Sequence, residues 1–147
     1  MNYVKGDLFS VTSGIIVHGC NAQGVMGSGV AKSVKAQYPE AFKKYVADIK
    51  NGMTLGDVSW FMGELAIASA ITQDGFGFNG HRYVSYDAVS VSFMKVFSVA
   101  TKYGFEVSMP KIGAGLGGGS WTVIEQIILD AATKQKFQID NITVYEL

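Results

Sequence analysis

Apolar residues fall along this chain in two alternating rhythms. Short, nearly continuous runs of strand length are followed by stretches in which apolar positions recur every three or four residues, the spacing of one helix face. Asn2 to Lys5 reads as a first strand, and Gly14-Ile15-Ile16-Val17-His18 as a strand buried on both faces. Val30 to Tyr38 has helical spacing, and Pro39, which suits a first helical turn, restarts a helix from Glu40 to about Lys50 that Gly52 ends. Val58 to Met62 and Leu65 to Ile71 flank Gly63-Glu64 as a hairpin. Thr72 to Arg82 follows as a long glycine-containing excursion, a kind of loop that often carries function. Ser85 caps a helix with Val89, Phe93, Val96, Phe97 and Ala100 on one side, closed by Gly104. Val107 to Met109 is a further strand, Ser120 caps a helix that turns Ile124, Ile127, Ile128 and Ala131 one way, and Ile142 to Tyr145 is the last strand. This alternation predicts a three-layer α/β domain with a mixed sheet.

The length of 147 residues predicts a single domain, 1–147, large enough to bury a core without staples. Twelve basic residues balance twelve acidic ones, so no global field draws the chain to a nucleic-acid backbone or an anionic membrane. A lone cysteine, Cys20, allows no internal disulfide and points to a reducing, cytoplasmic setting. No apolar run has the length of a membrane span. The expected partner is therefore a small molecule, bound by a monomer, with no direct contact to nucleic acid or membrane.

Two glycine-rich loops carry the chemistry. Asn21-Ala22-Gln23-Gly24-Val25-Met26-Gly27-Ser28-Gly29-Val30 and Pro110-Lys111-Ile112-Gly113-Ala114-Gly115-Leu116-Gly117-Gly118-Gly119 each leave a strand and enter a helix. Glycine lets the main chain approach an anion, and amides at a helix N-terminus bind phosphate without Lys or Arg. Two such loops in the same setting suggest one diphosphate held between two backbones, beyond the strand ends. The spacing of Gly24, Gly27 and Gly29 is not that of a dinucleotide-binding fingerprint, and the lysine of a nucleoside triphosphatase loop is absent, so hydride transfer and triphosphate hydrolysis are disfavoured.

Val4-Lys5-Gly6-Asp7-Leu8-Phe9, Val17-His18-Gly19-Cys20-Asn21 running into Gly27-Ser28-Gly29-Val30-Ala31, Tyr38-Pro39-Glu40-Ala41, and Met109 to Leu116 with Trp121 together resemble the macrodomain family over essentially the whole chain. The resemblance implies a three-layer α/β/α fold with a mixed sheet of six strands, and a site for ADP-ribose. It implies that Gly6, Asp7 and Leu8 bind the ligand, with Asp7 at the adenine end recognising the purine amino group, although Asp in such a turn also commonly bonds its own backbone. Gly27, Ser28, Gly29 and Val30 in the first loop, and Ile112, Gly113, Ala114, Gly115, Leu116 and Gly117 in the second, are the expected ligand-binding positions. Phe76, a loop aromatic beside glycines, is expected to cover a ribose.

Within the family the chain is most similar to the branch of the ADP-ribose-1''-phosphate phosphatases and the terminal ADP-ribose protein glycohydrolases. The glycohydrolase chemistry uses a lysine after the fourth strand and an aspartate in the second loop; this chain has Gln73 and Gly117 there, and neither can form an imine or shuttle a proton. The expected activity is therefore hydrolysis of the terminal phosphate of ADP-ribose-1''-phosphate, without cofactor or metal. His18 is the candidate to orient or deprotonate the water, against the ordinary alternative of a buried neutral core histidine. Asn21, the second candidate catalytic residue, holds the distal ribose or else stabilises its own loop. Cys20 is left out of catalysis, and His81 and Arg82 are expected to be exposed loop residues, with contact to the terminal phosphate as the lesser alternative. A non-catalytic ADP-ribose reader is the competing expectation, and a hydrolase acting on ADP-ribosylated protein or nucleic acid the weaker one.

Overall fold

A computed structural model describes residues 1–77 and 81–146. Six strands, β1 (Asn2–Lys5), β2 (Gly14–Asn21), β3 (Val58–Phe61), β4 (Leu65–Gln73), β5 (Val107–Met109) and β6 (Ile142–Glu146), form one sheet in the order β1-β6-β5-β2-β4-β3. Every pairing is parallel except the β3–β4 hairpin, so the expected mixed six-stranded sheet is present. Four helices, α1 (Gly29–Gln37), α2 (Pro39–Lys50), α3 (Tyr86–Tyr103) and α4 (Trp121–Lys134), cover its faces.

The alternation of side chains along β2 and β4 sorts these helices into two layers. Ile15 and Val17 of β2 and Ala66, Ala68 and Ala70 of β4 face one way, into a core with Val89, Phe93, Phe97 and Ala100 of α3 and Ile124 and Ile128 of α4. Ile16 and Cys20 of β2 and Ile67 and Ile71 of β4 face the other, against Val34 of α1 and Ala41 and Tyr45 of α2. The row of alanines on β4 lets α3 approach closely, and Phe97 fills the layer by stacking on Phe137 with ring centroids 4.9 Å apart.

The helix stops and starts follow the local chemistry. Pro39 occupies the first turn of α2 and separates it from α1. Ser85 accepts a hydrogen bond from the Ala88 amide at the start of α3, and Gly104, with φ of 71°, closes the helix in the left-handed region. Two expectations need correction. Ser120 precedes α4 but its hydroxyl makes no capping bond; instead its amide donates to the Tyr86 hydroxyl at 3.0 Å. Thr72 and Gln73 belong to β4 and not to the excursion, because β2 continues to Asn21 and gives them a partner strand. Residues 78–80, the middle of that excursion, and Leu147 lie outside the described residues. No helix among the described residues is long and apolar enough to cross a membrane.

Truncating Phe97, which is fully buried between both helices of its layer, should cost about 3–5 kcal/mol of unfolding free energy in a urea titration. A loss below about 1 kcal/mol would show that this layer repacks freely.

Candidate ligand-binding cleft

β2 and β5 lie side by side and parallel, but their chains depart in opposite directions. From β2 the chain passes through α1 and α2 toward β3 and β4, whereas from β5 it passes through α4 toward β6. A parallel sheet opens a crevice at such a switch point, beyond the carboxyl ends of the strands. A cleft of about 780 Å³ is found there, within the range of small-molecule sites.

One wall is the first loop. Gly27, Ser28, Gly29 and Val30 all line the cleft, as expected. Ser28 is extended and leaves its side chain out of the helix cap, and Gly29 has φ of 62°. The leading amides of α1 have no acceptor within the helix and form the positive end of its dipole. The opposite wall is the second loop, from which Ile112, Gly113, Gly115, Leu116 and Gly117 line the cleft; Ala114 does not.

The glycines of this second loop serve two different ends. A Cβ on Gly117 would lie 2.7 Å from the Gly113 carbonyl oxygen and 3.0 Å from its Cα, so the loop's path excludes any side chain there. The Gly117 carbonyl accepts from the Tyr83 and Val84 amides at 2.8 and 3.0 Å, which lays the segment after the excursion across the loop. At Gly115 a Cβ would meet nothing within 4 Å, and the backbone conformation is one that any residue adopts. Neither crowding nor torsion requires glycine at 115, and it faces the cleft.

The adenine-end candidates divide. Asp7 and Leu8 line the cleft and Gly6 does not. One Asp7 oxygen accepts from the Phe9 amide at 2.9 Å and caps a single turn of 3-10 helix, Leu8–Ser10, so the ordinary turn role is realised. The second carboxylate oxygen keeps its acceptor capacity. Phe9 and Tyr145 extend this end of the cleft; Tyr145 is the register partner of Val4, a neighbour across the sheet that no local pattern reveals. Phe76 lines the cleft and is 52 % exposed, in keeping with a side chain that closes over a ligand.

Of the two roles open to each catalytic candidate, the contacts are those of the ordinary one. His18 does not line the cleft. It shares the Ile16 and Cys20 face of β2 and is fully buried, with Nε2 2.7 Å from the Ser69 hydroxyl on the neighbouring strand. Cys20, which does line the cleft, has its sulfur 3.5 Å from His18 Nδ1 and screens the ring from it. Burial raises the Cys20 thiol pKa, so the thiol stays protonated. Asn21 reaches the cleft, but its amide serves its own loop. Nδ2 donates to the Val25 carbonyl at 2.8 Å; Oδ1 accepts from the Gln23 amide at 2.9 Å and from the Tyr45 hydroxyl at 3.0 Å.

Gln73 lines the cleft with Nε2 donating to the Gly75 carbonyl at 2.8 Å. Among the described residues only two that line the cleft are charged, Asp7 and Lys111, and the Lys111 ammonium is 2.9 Å from a Glu146 carboxylate oxygen. His81 and Arg82 are exposed and outside the lining, with the Arg82 guanidinium 4.5 Å from the centre of the Tyr86 ring. The walls can therefore receive an anion chiefly through main-chain amides.

A family model described as Macro domain matches residues 17–128, most of the sequence, and the chain belongs to that family. It is 28 % identical over 160 residues to an ADP-ribose 1''-phosphate phosphatase of Meyerozyma guilliermondii, covering 87 % of this chain and 91 % of that protein. It is 29 % identical over 141 residues to a DNA ADP-ribosyl glycohydrolase of Mycobacterium tuberculosis, covering 89 % of this chain but 38 % of that protein. A macrodomain protein of Streptomyces coelicolor superposes with a TM-score of 0.81 at 27 % identity, over 99 % of this chain and 98 % of that one.

Burial holds the His18 imidazole well below its ordinary value, at about 4. An unfolded histidine titrates near 6.5, so between these values the unfolded chain binds the extra proton and stability falls as pH falls. On account of this residue the unfolding free energy should drop by roughly 3 kcal/mol from pH 7 to pH 4. His18→Gln should flatten that limb in urea titrations; an unaltered slope would assign it to other groups.

Proposed function

We propose that the cleft binds ADP-ribose, with adenine toward Asp7 and the diphosphate between the two glycine loops, and that the protein converts ADP-ribose-1''-phosphate to ADP-ribose and phosphate. The observation that carries the binding half is the pair of glycine-rich walls at the switch point, where Gly29 and Gly115 leave room for an anion to touch the main chain. A ligand with phosphates at its centre and hydroxyl-bearing rings at its ends matches such walls. The catalytic half is supported by the similarity to the yeast phosphatase along nearly the full length of both chains. It is supported also by Gln73 in place of a lysine and by the filled space at Gly117, which leaves no room for an acid at that position.

In the proposed reaction a water oxygen bonds to phosphorus and the bond from phosphorus to the 1'' oxygen breaks; one water proton is relayed through a phosphate oxygen to the departing 1'' oxygen, which leaves as the ribose hydroxyl, and the other stays on the released phosphate. The loops fix the diphosphate and so the distance to the reacting phosphorus, and amides stabilise the charge that develops. His18 lies behind Cys20 and neutral, so the water proton passes to an oxygen of the substrate's own phosphate. Asn21 acts as a positioning residue by holding residues 21–25 in shape.

One observation favours the reader alternative. Among the described residues no cleft-lining side chain is a base free of protein partners: Asp7 caps its turn and Lys111 is paired with Glu146. Phosphate release from ADP-ribose-1''-phosphate, measured beside calorimetry with ADP-ribose, separates the two. Turnover supports the phosphatase, while binding without release supports the reader.

The same reading predicts the behaviour of Gly115→Val. The side chain would enter open cleft, so the melting temperature of the unliganded protein should stay within the range of neutral surface changes. Affinity for ADP-ribose should fall at least about tenfold through overpacking against the ligand. Retained affinity would remove the second loop from the binding site.

A further inference from the structure

We infer that Thr72 is a specificity-determining residue whose hydroxyl bonds a ribose hydroxyl of the ligand on the far side of the diphosphate from adenine. The inference rests on the proposed ADP-ribose reading and names a residue for it that neither the glycine loops nor Asn21 supplies.

Three observations converge on this side chain. Along β2 and β4 the register runs Cys20 to Ile71 and then Asn21 to Gln73, so Thr72 is the extra residue of a β-bulge. Bulges re-aim side chains and recur beside active sites. Secondly, Thr72 is 1 % exposed and lines the cleft, yet its Oγ1 has no hydrogen-bond partner among the described residues. A buried hydroxyl left in that condition costs stability, and sequences ordinarily satisfy or replace it. Thirdly, the neighbouring strand yields space to it. A Cβ at Gly19 would lie 2.9 Å from Thr72 Oγ1 and 3.1 Å from Ile112 Cγ2, so a side chain at 19 would press on the hydroxyl and on the wall beyond it.

The backbone of Thr72 is held firmly meanwhile. Its carbonyl accepts from the Ser85 amide at 2.7 Å, and Gln73 bridges to Val84. The hydroxyl is thus rigidly presented and uncommitted, whereas the other polar side chains at this end are spoken for: Asn21 by its loop and Gln73 by the Gly75 carbonyl.

The position along β4 decides which part of the ligand it meets. Thr72 precedes Gln73 and the segment bearing Phe76, on β4, with β5 and β2 between it and the β1–β6 side where Asp7 and Tyr145 stand. The Ile112 methyl stands beside the space at Gly19 that the hydroxyl borders, an apolar wall against which a ligand group can pack. A ribose hydroxyl is held there by the rest of the ligand and can both donate to and accept from the threonine.

The test is calorimetry with ADP-ribose and with ADP, which lacks the distal ribose, on wild type, Thr72→Val and Thr72→Ser. Valine keeps the shape and removes the hydroxyl. Its unliganded melting temperature should hold or rise, its affinity for ADP-ribose should fall by about tenfold, as for one lost hydrogen bond, and its affinity for ADP should be unchanged. Serine should restore ADP-ribose binding to near wild type, which keeps the test informative should valine fold poorly. Equal losses for both ligands, or no loss for either, would overturn the inference. Unchanged ADP-ribose affinity with slowed phosphate release would overturn it too, assigning the hydroxyl to the attacking water. Wild type that binds ADP-ribose no better than ADP would defeat the ADP-ribose reading itself, a failure visible before any variant is compared.

Discussion

The cleft depends on one constraint, that β2 and β5 lie adjacent and parallel while their outgoing chains diverge. Parallel pairing puts both carboxyl ends on the same edge, and divergence leaves that edge uncovered between α1 and α4. Each strand end then delivers a glycine-rich turn and the start of a helix to opposite sides of one gap. A hairpin connection between these strands would have sealed it. The short pairing of β5, two register pairs with β2, is enough because the cores on both faces clamp the sheet there: Met109 and Val107 are fully buried.

Main-chain atoms carry most of the recognition that this arrangement allows. With one carboxylate and one already paired lysine on the walls, the cleft has little side-chain charge to offer an anion. Under the proposed reading, amides at fixed positions take the place of cations, and their effect is larger where water is excluded. Such a site requires rigid loops, and the structure provides them by separate means. Asn21 and the Tyr45 hydroxyl tie the first loop from beneath; the Gly117 carbonyl ties the second to residues 83 and 84. A glycine triplet that reads as a phosphate cradle is therefore partly a packing device. A Cβ on Gly118 or Gly119 would strike the 81–84 segment at 2.7 or 2.6 Å, while Gly115 alone faces open cleft without such a demand.

The polar residues on the inner sheet show how position outweighs identity. His18 and Ser69 pair across neighbouring strands on the face toward α1 and α2, and their mutual bond satisfies two groups that would otherwise be stranded in an apolar layer. The same strands present Gly19 and Thr72 to the cleft. One step along the chain separates a histidine that serves the core from a glycine that opens the floor.

The order and type of the regular elements were legible in the sequence because apolar period, Pro39, Ser85 and Gly104 are local signals whose effect does not depend on distant partners. The two glycine loops, the macrodomain membership and the positions of Asp7, Leu8, Phe76 and most of residues 27–30 and 112–117 around one cleft were legible for a related reason: runs of residues at strand-to-helix turns are few and distinctive. What the tertiary structure decided concerns facing and partnership. A strand buried on both sides carries no polarity pattern that tells its cleft side from its core side, so His18 could not be turned away from the site by reading Ile15 to Cys20. Its partner Ser69 stands 51 residues away, and Tyr45, which engages Asn21, 24 residues away. The bulge at Thr72 arises from the mismatch in length between β2 and β4 in the assembled sheet, a property of the pair that neither strand's sequence contains.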